Sequence, residues 1–191
     1  MEERIDLPWG DERSVKFITN VGLITSKSKT GDNIMAAEWT HHVSYNPGLI
    51  AVCIRPTSTT AINIKKTKQF GVNLTAIDQS VLANVAGGSH GSEYNKIEAL
   101  KKLGFEFYKA NKIKTLMVKG AALNVECKLI KKIEIGSHVI FIGEILEAVN
   151  NPEKEPLAYH KGKFWIMDKN VEKTSDEERT KINEIVQSFK K

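Results

Sequence analysis

The sequence predicts a mainly β fold in which helices are inserted between antiparallel strands. Roughly seven or eight short segments have the apolar or alternating pattern of strands, and turn signals of the hairpin type separate most of them. This spacing suits a barrel better than a doubly wound parallel sheet. No Gly-x-Gly-x-x-Gly motif follows the first strand, so a dinucleotide bound in the Rossmann manner is not expected.

The strands are expected at runs rich in apolar and β-branched residues or at runs of alternating polarity. In chain order they cover residues 15–25 (divided around Asn20), 33–43, 49–54, 70–74, 124–130, 133–135, 138–146 and 159–166. Residues 1–14 are predicted to form an irregular lead-in. Residues 27–32 are predicted to form a hairpin turn, in which Gly31 can adopt a positive φ. The apolar run 49–54 predicts a fully buried strand, whereas the alternation in 124–130 predicts a half-buried strand with Asn124 and Glu126 on its polar face.

Helices are expected at four places where a capping residue precedes apolar residues at helical spacing. Their predicted starts are Ser58 or Thr59, Asp78, Ser92, and Ser175, the last in a capping box. Gly104 should end the third helix. The expected apolar faces are Ala61, Ile62 and Ile64 in the first helix, Val81, Leu82 and Val85 in the second, and Ile182, Ile185, Val186 and Phe189 in the fourth.

Length and composition indicate one globular domain over residues 1–170 and a helix over residues 171–191 that docks on the body or on a partner subunit. Of 191 residues, 41% are hydrophobic and 27% are charged, which is ordinary for a globular protein. No apolar run is long enough to span a bilayer, and residues 1–15 lack a signal peptide's apolar stretch, so the cytoplasm is the expected location. The net charge of +5 is spread over lysine-rich segments without interleaved aromatic residues, which disfavours nucleic-acid binding.

The two cysteines, Cys53 and Cys127, both lie in predicted strands, and no spacing typical of a zinc site is present. We interpret them as small buried strand residues, with a disulfide or a catalytic thiol as the less favoured alternatives. No metal site is expected.

A candidate anion site follows the apolar strand 49–54. Arg55 follows that strand, and hydroxyl side chains at Thr57, Ser58, Thr59 and Thr60 open the next helix. A helix N-terminus offers unpaired N–H groups and a partial positive charge, and arginine adds a fork of donors, so a phosphate monoester would fit. The alternative is that the hydroxyls only cap the helix while Arg55 pairs with a surface acid.

A second candidate feature is the strand segment 33–40, in which small residues adjoin Trp39. A flat ring can lie against such a backbone and bond to its N–H and C=O groups, although an ordinary strand with an aromatic anchor has the same pattern. His41 and His42 adjoin this segment, and His138 opens a later strand. No carboxylate pair, Ser/His/Asp set or metal cluster is evident, which favours chemistry supplied by a cofactor.

Several short motifs, in their order and spacing, resemble the flavin reductase-like family, whose members adopt a six-stranded, Greek-key, FMN-binding split β-barrel. The resemblance covers about residues 15–165 and is nearest to the flavoredoxin and archaeal ferric-reductase-like branch. It rests on Asp32-Asn33-Ile34-Met35 with Trp39, Ser44-Tyr45-Asn46-Pro47, Ile54-Arg55-Pro56 with Thr60, Phe70-Gly71-Val72-Asn73, and Gly136-Ser137-His138 with Ile142-Gly143-Glu144.

The resemblance implies that FMN lies in a groove of a homodimer and that NADH or NADPH is the co-substrate. It places Arg55, Thr57, Ser58 and Thr60 at the flavin phosphate and Lys96 near the phosphate or the entering ligand. Along the isoalloxazine it implies a contact strand that comprises Asn33, Met35, Ala36, Ala37, Trp39 and Thr40. His138 is the implied catalytic residue near the flavin or the nicotinamide. Residues 159–165 depart from the family, because relatives often have a Gly-Gly turn there.

The implied function is an NAD(P)H-dependent flavin reductase that passes electrons to a second acceptor, which can be a small molecule or a protein. The alternative within the family is a flavoredoxin-type FMN electron carrier without its own nicotinamide site. A basic barrel that binds nucleic acid and a pyridoxamine-phosphate oxidase are less favoured. No membrane partner is expected.

Overall fold

The computed structural model describes residues 16–29 and 31–190. Within these residues the strands are β1 (Thr19–Asn20), β2 (Gly22–Ser28), β3 (Gly31–Ala37), β4 (Thr40–Tyr45), β5 (Gly48–Ile54), β6 (Gln69–Leu74), β7 (Phe107–Lys109), β8 (Leu116–Val118), β9 (Leu123–Ile135), β10 (His138–Asn150), β11 (Ala158–His160) and β12 (Lys163–Trp165). The helices are α1 (Thr59–Thr67), α2 (Ser80–Gly88), α3 (Lys96–Lys102) and α4 (Asp176–Ser188), and a 3₁₀ turn at Ile77–Gln79 precedes α2. The predicted lead-in over residues 1–14 lies outside the described residues.

The described strands form one large sheet and two small ones, and all of their pairings are antiparallel. The large sheet has seven strands in the order β3-β2-β6-β9-β10-β5-β4. The small sheets join β1, β11 and β12, and β7 with β8. The prediction of a mainly β, antiparallel fold with inserted helices is therefore confirmed.

The edges of the large sheet are consecutive strands of the chain. Residues 33–43, predicted as one strand, are divided into β3 and β4 by Glu38 and Trp39, and the two strands lie at opposite ends of the strand order. Because two residues span only about 7 Å, the sheet must curl until these edges meet at one corner. No pairing between β3 and β4 closes the sheet in the described part of the chain, where the large sheet has seven strands, so the implied six-stranded split barrel is not confirmed.

Polar contacts hold this corner together. The Thr40 hydroxyl donates to the Ala37 carbonyl oxygen (3.0 Å), and the Asn20 amide donates to the Thr40 carbonyl oxygen (2.7 Å). A Cβ atom at Gly22 would lie 2.5 Å from Thr40 Oγ1, so only glycine lets β2 approach β4 this closely. Residue 21, which separates β1 from β2, directly precedes Gly22 and therefore belongs to the same corner.

The curled sheet is buried on both faces. Adjacent β2 residues point to opposite sides, as strand geometry requires: Ile24 packs in a core with Ala61 and Ile64 of α1, and Leu23 packs in a core with α2 and α3. Within α1 the buried side includes Thr60 and Asn63, whereas Ile62 is exposed, contrary to prediction.

Three further predictions are corrected by packing. In β5, buried Ile50, Val52 and Ile54 alternate with half-buried residues, so that strand is not buried throughout. Val81 of α2 is exposed because the helix buries Leu82, Ala83 and Ala86 instead. The cap of α3 is Asn95 rather than Ser92, since the Asn95 side chain accepts from the Glu98 N–H, while Gly104 ends that helix as predicted, with φ of 90°.

The segment that carries β7 and β8 covers the face of β9 that was predicted to be exposed. Asn124 and Glu126 are only 8% and 4% exposed. The Glu126 carboxylate accepts backbone N–H bonds from Asn111 (2.8 Å), Lys112 (2.6 Å) and Ile113 (3.2 Å). It therefore fixes the turn between β7 and β8 to the large sheet.

Helix α4 begins with the predicted capping box, in which Ser175 and Glu178 satisfy each other's backbone N–H groups. None of its residues is buried, and its apolar stripe of Ile182, Ile185 and Val186 is exposed. Docking on the body is thus not observed, and docking on a partner stays a prediction. No helix among the described residues combines the length and apolar character needed to cross a membrane.

We expect Glu126→Gln to lower the free energy of unfolding by about 1–3 kcal/mol. The amide would present N–H groups where the carboxylate now accepts from backbone donors, which leaves buried donors unpaired. Urea denaturation followed by circular dichroism measures the change. Glu106→Gln, which alters an exposed ion pair with Lys119, is the matched control and should change stability by less than about 0.5 kcal/mol. Equal stability of the two variants would contradict the anchoring role of Glu126.

Candidate functional site

A groove of about 610 Å³ lies beside the corner where the sheet curls. Its walls are formed by β3 and the following residues, the end of β5, the start of α1, and the segment from the end of α2 to Gly91. The structure brings together eleven of the twelve residues predicted for the site: Asn33, Met35, Ala36, Ala37, Trp39, Arg55, Thr57, Ser58, Thr60, Lys96 and His138.

One end of the groove is built to receive an anion. Ser58 caps α1, and its hydroxyl accepts from the Ala61 N–H at 3.1 Å. Helix geometry leaves the N–H groups of Thr59 and Thr60 without intrahelical partners, and the first turn of α1 contains no acidic residue. Arg55 is exposed beside this turn, and no carboxylate of the described residues pairs with it. The alternative in which Arg55 serves a surface ion pair therefore has no support within the described chain.

Buried polar contacts fix the strand β3 to this helix. The Asn33 side-chain amide donates to Thr60 Oγ1 at 2.8 Å, and both residues are buried. The Thr60 hydroxyl keeps its own proton to donate to an acceptor. Helix α1 follows β5, which is far from β3 in the strand order of the large sheet. The bond therefore links the groove wall formed by α1 to the wall formed by β3.

Lys96 is a cation at the same end of the groove. The residue is 4% exposed, and its ammonium donates to the carbonyl oxygens of Ala86 (2.8 Å) and Ser89 (3.0 Å). Burial lowers the pKa of Lys96 from 10.5 to about 8, because desolvation disfavours the charged form. No carboxylate of the described residues pairs with this ammonium. An anion in the groove would supply the missing compensation.

The other end of the groove has a flat, partly apolar wall. Met35, Ala36 and Ala37 line it from β3, which as an edge strand has backbone N–H and C=O groups free of a strand partner on one side. The Trp39 ring stacks at a tilt on the His138 imidazole, with ring centroids 4.7 Å apart, and its indole N–H donates to Glu38 at 3.2 Å. A planar aromatic ligand would meet small side chains and open backbone groups here.

Thr40, the twelfth predicted residue, lies outside the groove, as do the adjoining His41 and His42. Thr40 is buried, and its hydroxyl is used to hold the corner through Ala37. The rings of His41 and His42 stack on each other on the exposed face of β4, and neither residue lines the groove.

The groove also includes residues that sequence reasoning did not assign to a site. These are Glu38, Cys53, Ile54, Ala86, Gly87, Ser89, His90 and Gly91. The signal that could have marked this segment is the stretch 87–91, in which three glycines adjoin Ser89 and His90 and allow the backbone to approach a ligand closely.

The two cysteines have different surroundings. Cys127 is buried in the core, where desolvation first and the Glu126 charge second raise its pKa to about 12. Cys53 is half-buried in the groove wall, and burial raises the pKa of its thiol as well. Both are free thiols. Neither has the lowered pKa that a nucleophilic thiolate needs.

Comparisons with known proteins agree with this architecture. Residues 14–166 match the family model of the flavin reductase like domain. An uncharacterised protein of Archaeoglobus fulgidus is 32% identical over 118 residues, which are 62% of this chain and 65% of that protein. This chain thus spans just under two thirds of the length of that relative.

Two named proteins are also similar. A ferric-chelate reductase (NAD(P)H) of Archaeoglobus fulgidus is 25% identical over 150 residues, covering 78% of this chain and 85% of that protein. The crystal structure of flavoredoxin from Methanosarcina acetivorans matches with a TM-score of 0.79 at 21% identity, covering 91% of this chain and 96% of that one. The second similarity establishes a shared fold. On the family match over most of its length, the chain belongs to the flavin reductase like domain family.

Proposed function

We propose that this protein is an FMN-binding, NAD(P)H-dependent flavin reductase-like oxidoreductase that passes electrons from a nicotinamide to flavin and on to a second acceptor. The observation that carries the proposal is the groove itself, which joins a helix N-terminus with Arg55 and Lys96 at one end to a flat strand wall at the other. A phosphate and a planar ring are the two ends of FMN. The printed name of the ferric-chelate reductase (NAD(P)H) supports the nicotinamide as electron source.

The residues present fit FMN on three counts. The groove volume of about 610 Å³ is within the roughly 300–1,000 Å³ typical of small-molecule sites. The α1 N-terminus offers N–H groups without intrahelical partners. Beside them lies Arg55, which pairs with no carboxylate among the described residues. The buried Lys96 lacks a compensating charge that a phosphate would bring.

Within this proposal the chain binds and orients, and the cofactor reacts. Bound FMN would supply the hydride and electron transfer. Arg55, Thr57, Ser58 and Thr60 would hold its phosphate, while Met35, Ala36, Ala37 and Trp39 would set the position of the ring. His138, half-buried and packed on Trp39, would orient the ligand that enters next to the ring. The homodimer, the split-barrel closure and the cytoplasmic location are further parts of the proposal.

The alternative is a flavoredoxin-type FMN electron carrier without a nicotinamide site, in line with the printed name of the flavoredoxin neighbour. Visible absorption spectra of the purified protein with FMN, before and after addition of NADH and then NADPH, separate the two. We expect a bound-flavin spectrum that bleaches with one of the nucleotides. A bound flavin that neither nucleotide bleaches would favour the carrier, and failure to bind FMN would overturn both.

Arg55→Ala should weaken FMN binding by about 1.5–3 kcal/mol, which is roughly 10- to 150-fold in Kd, because a charge-assisted bond to the phosphate is lost. Fluorescence titration measures the affinity. Lys119→Ala removes the same charge from an exposed residue that does not line the groove and should leave Kd unchanged. Unaltered FMN affinity in Arg55→Ala would remove Arg55 from the site.

FMN affinity should fall as the pH rises past about 8. The pKa of Lys96 is lowered to about 8, so the free protein loses this cation above that pH, whereas the second phosphate ionisation near 6 is already complete. Titrations from pH 7 to 9.5 with FMN and with riboflavin test this, and only FMN should show the fall.

Two variants serve as controls for the pH effect. Lys96→Met should bind FMN more weakly at pH 7 and lose the dependence, while Lys101→Met, on the exposed side of α3, should keep it. A fall of equal size in Lys96→Met would show that another group is responsible.

A further inference from the structure

His90 lines the groove, yet none of the roles proposed above uses it. It lies in the loop Ser89–Gly91, which follows α2 and faces the start of α1. A Cβ atom at Gly91 would lie 2.1 Å from Asn33 Oδ1 and 3.2 Å from Thr59 Cβ. The loop therefore packs directly against the first residue of α1, where the anion site begins.

Lys96 holds the loop from its other side. The Lys96 ammonium donates to the Ser89 carbonyl oxygen at 3.0 Å. The His90 carbonyl oxygen in turn accepts from the N–H groups of Glu93 and Tyr94, each at 3.1 Å. His90 thus lies between Ser89, whose carbonyl oxygen Lys96 contacts, and Gly91, which packs against Asn33 and Thr59.

Contacts with Ser92 orient the His90 ring. The Ser92 backbone N–H donates to Nδ1 at 3.4 Å, and Ser92 Oγ lies 2.7 Å from the same atom. In the tautomer in which Nδ1 accepts these bonds, the ring proton is on Nε2. The Nε2–H donor then has no acceptor among the described residues, so it is available to a ligand.

We infer that His90 forms the second wall of the phosphate site and donates its Nε2–H to the flavin phosphate, opposite Arg55. The inference rests on the proposed function and deepens it. The phosphate would then be bound from two sides, by Arg55 and the α1 N–H groups on one side and by His90 and Lys96 on the other. It therefore selects flavins that carry a 5′-phosphate over riboflavin.

The test compares FMN and riboflavin affinities of the full chain, by flavin fluorescence titration at pH 7, for the wild type and five variants, one of which is Arg55→Ala. His90→Ala should weaken FMN binding about tenfold and leave riboflavin binding within about twofold. His90→Gln should keep most of the FMN affinity, because its side-chain amide retains an N–H donor. Ser92→Ala, which releases the ring, should cause a smaller loss for FMN alone.

The matched control is His41→Ala, which removes an exposed imidazole outside the groove and should bind both flavins like the wild type. Thermal unfolding of each variant checks the fold, and Ser92→Ala carries the test if His90→Ala does not fold. Wild-type FMN affinity in His90→Ala, with weakened binding in Arg55→Ala, would overturn the inference and leave the proposed function standing.

Equal losses for FMN and riboflavin in His90→Ala would also overturn the inference, since His90 would then only shape the loop. A wild-type protein that binds neither flavin would overturn the proposed function and the inference with it.

Discussion

The covalent link between β3 and β4 is the constraint on which the rest of the structure depends. Two residues, Glu38 and Trp39, join strands that occupy opposite edges of a seven-stranded sheet. The sheet can satisfy this only by curling, and Gly22 permits the curl because it leaves room for Thr40. The same bend places Trp39 beside His138 at the mouth of the groove. One local feature of the chain thus creates both the core and the candidate site.

The groove combines elements that belong to two different cores. The anion end depends on α1, which packs on one face of the sheet, and on Lys96 of α3, which packs on the other. Asn33 and Thr60 connect the two sides through a buried hydrogen bond. Burial of Lys96 lowers the stability of the fold. Its ammonium is desolvated and donates to two carbonyl oxygens, and no carboxylate of the described residues supplies an opposite charge. Such an arrangement is unfavourable for stability and favourable for an anionic ligand.

Sequence reasoning predicted most of the strands and helices, and the order of motifs led to residues that meet in one groove. Its failures share a physical cause. Where the local sequence pattern is compatible with two structures, tertiary contacts determine which one forms. Nothing in residues 33–43 distinguishes a long strand from two strands with a bend. Alternation places Glu126 on a polar face, and only the return of residues 107–118 buries that face.

The site shows the same limit. Arg55 and the hydroxyl residues were identified from local chemistry, since a helix N-terminus is visible in the sequence. His90 was missed because its position depends on how the loop after α2 packs against Thr59 and Asn33. Thr40 was included on local grounds but turns inward to hold the corner.

Helix α4 has a consequence for how this protein should be observed in solution. It has 13 residues, a well-formed capping box and no buried side chain. Isolated helices of about 12–15 residues are marginal in water, so the population of this helix is set by mass action with whatever covers its apolar stripe. The helicity of the C-terminal residues is then a spectroscopic measure of that contact. It would vary with protein concentration if the contact is between copies.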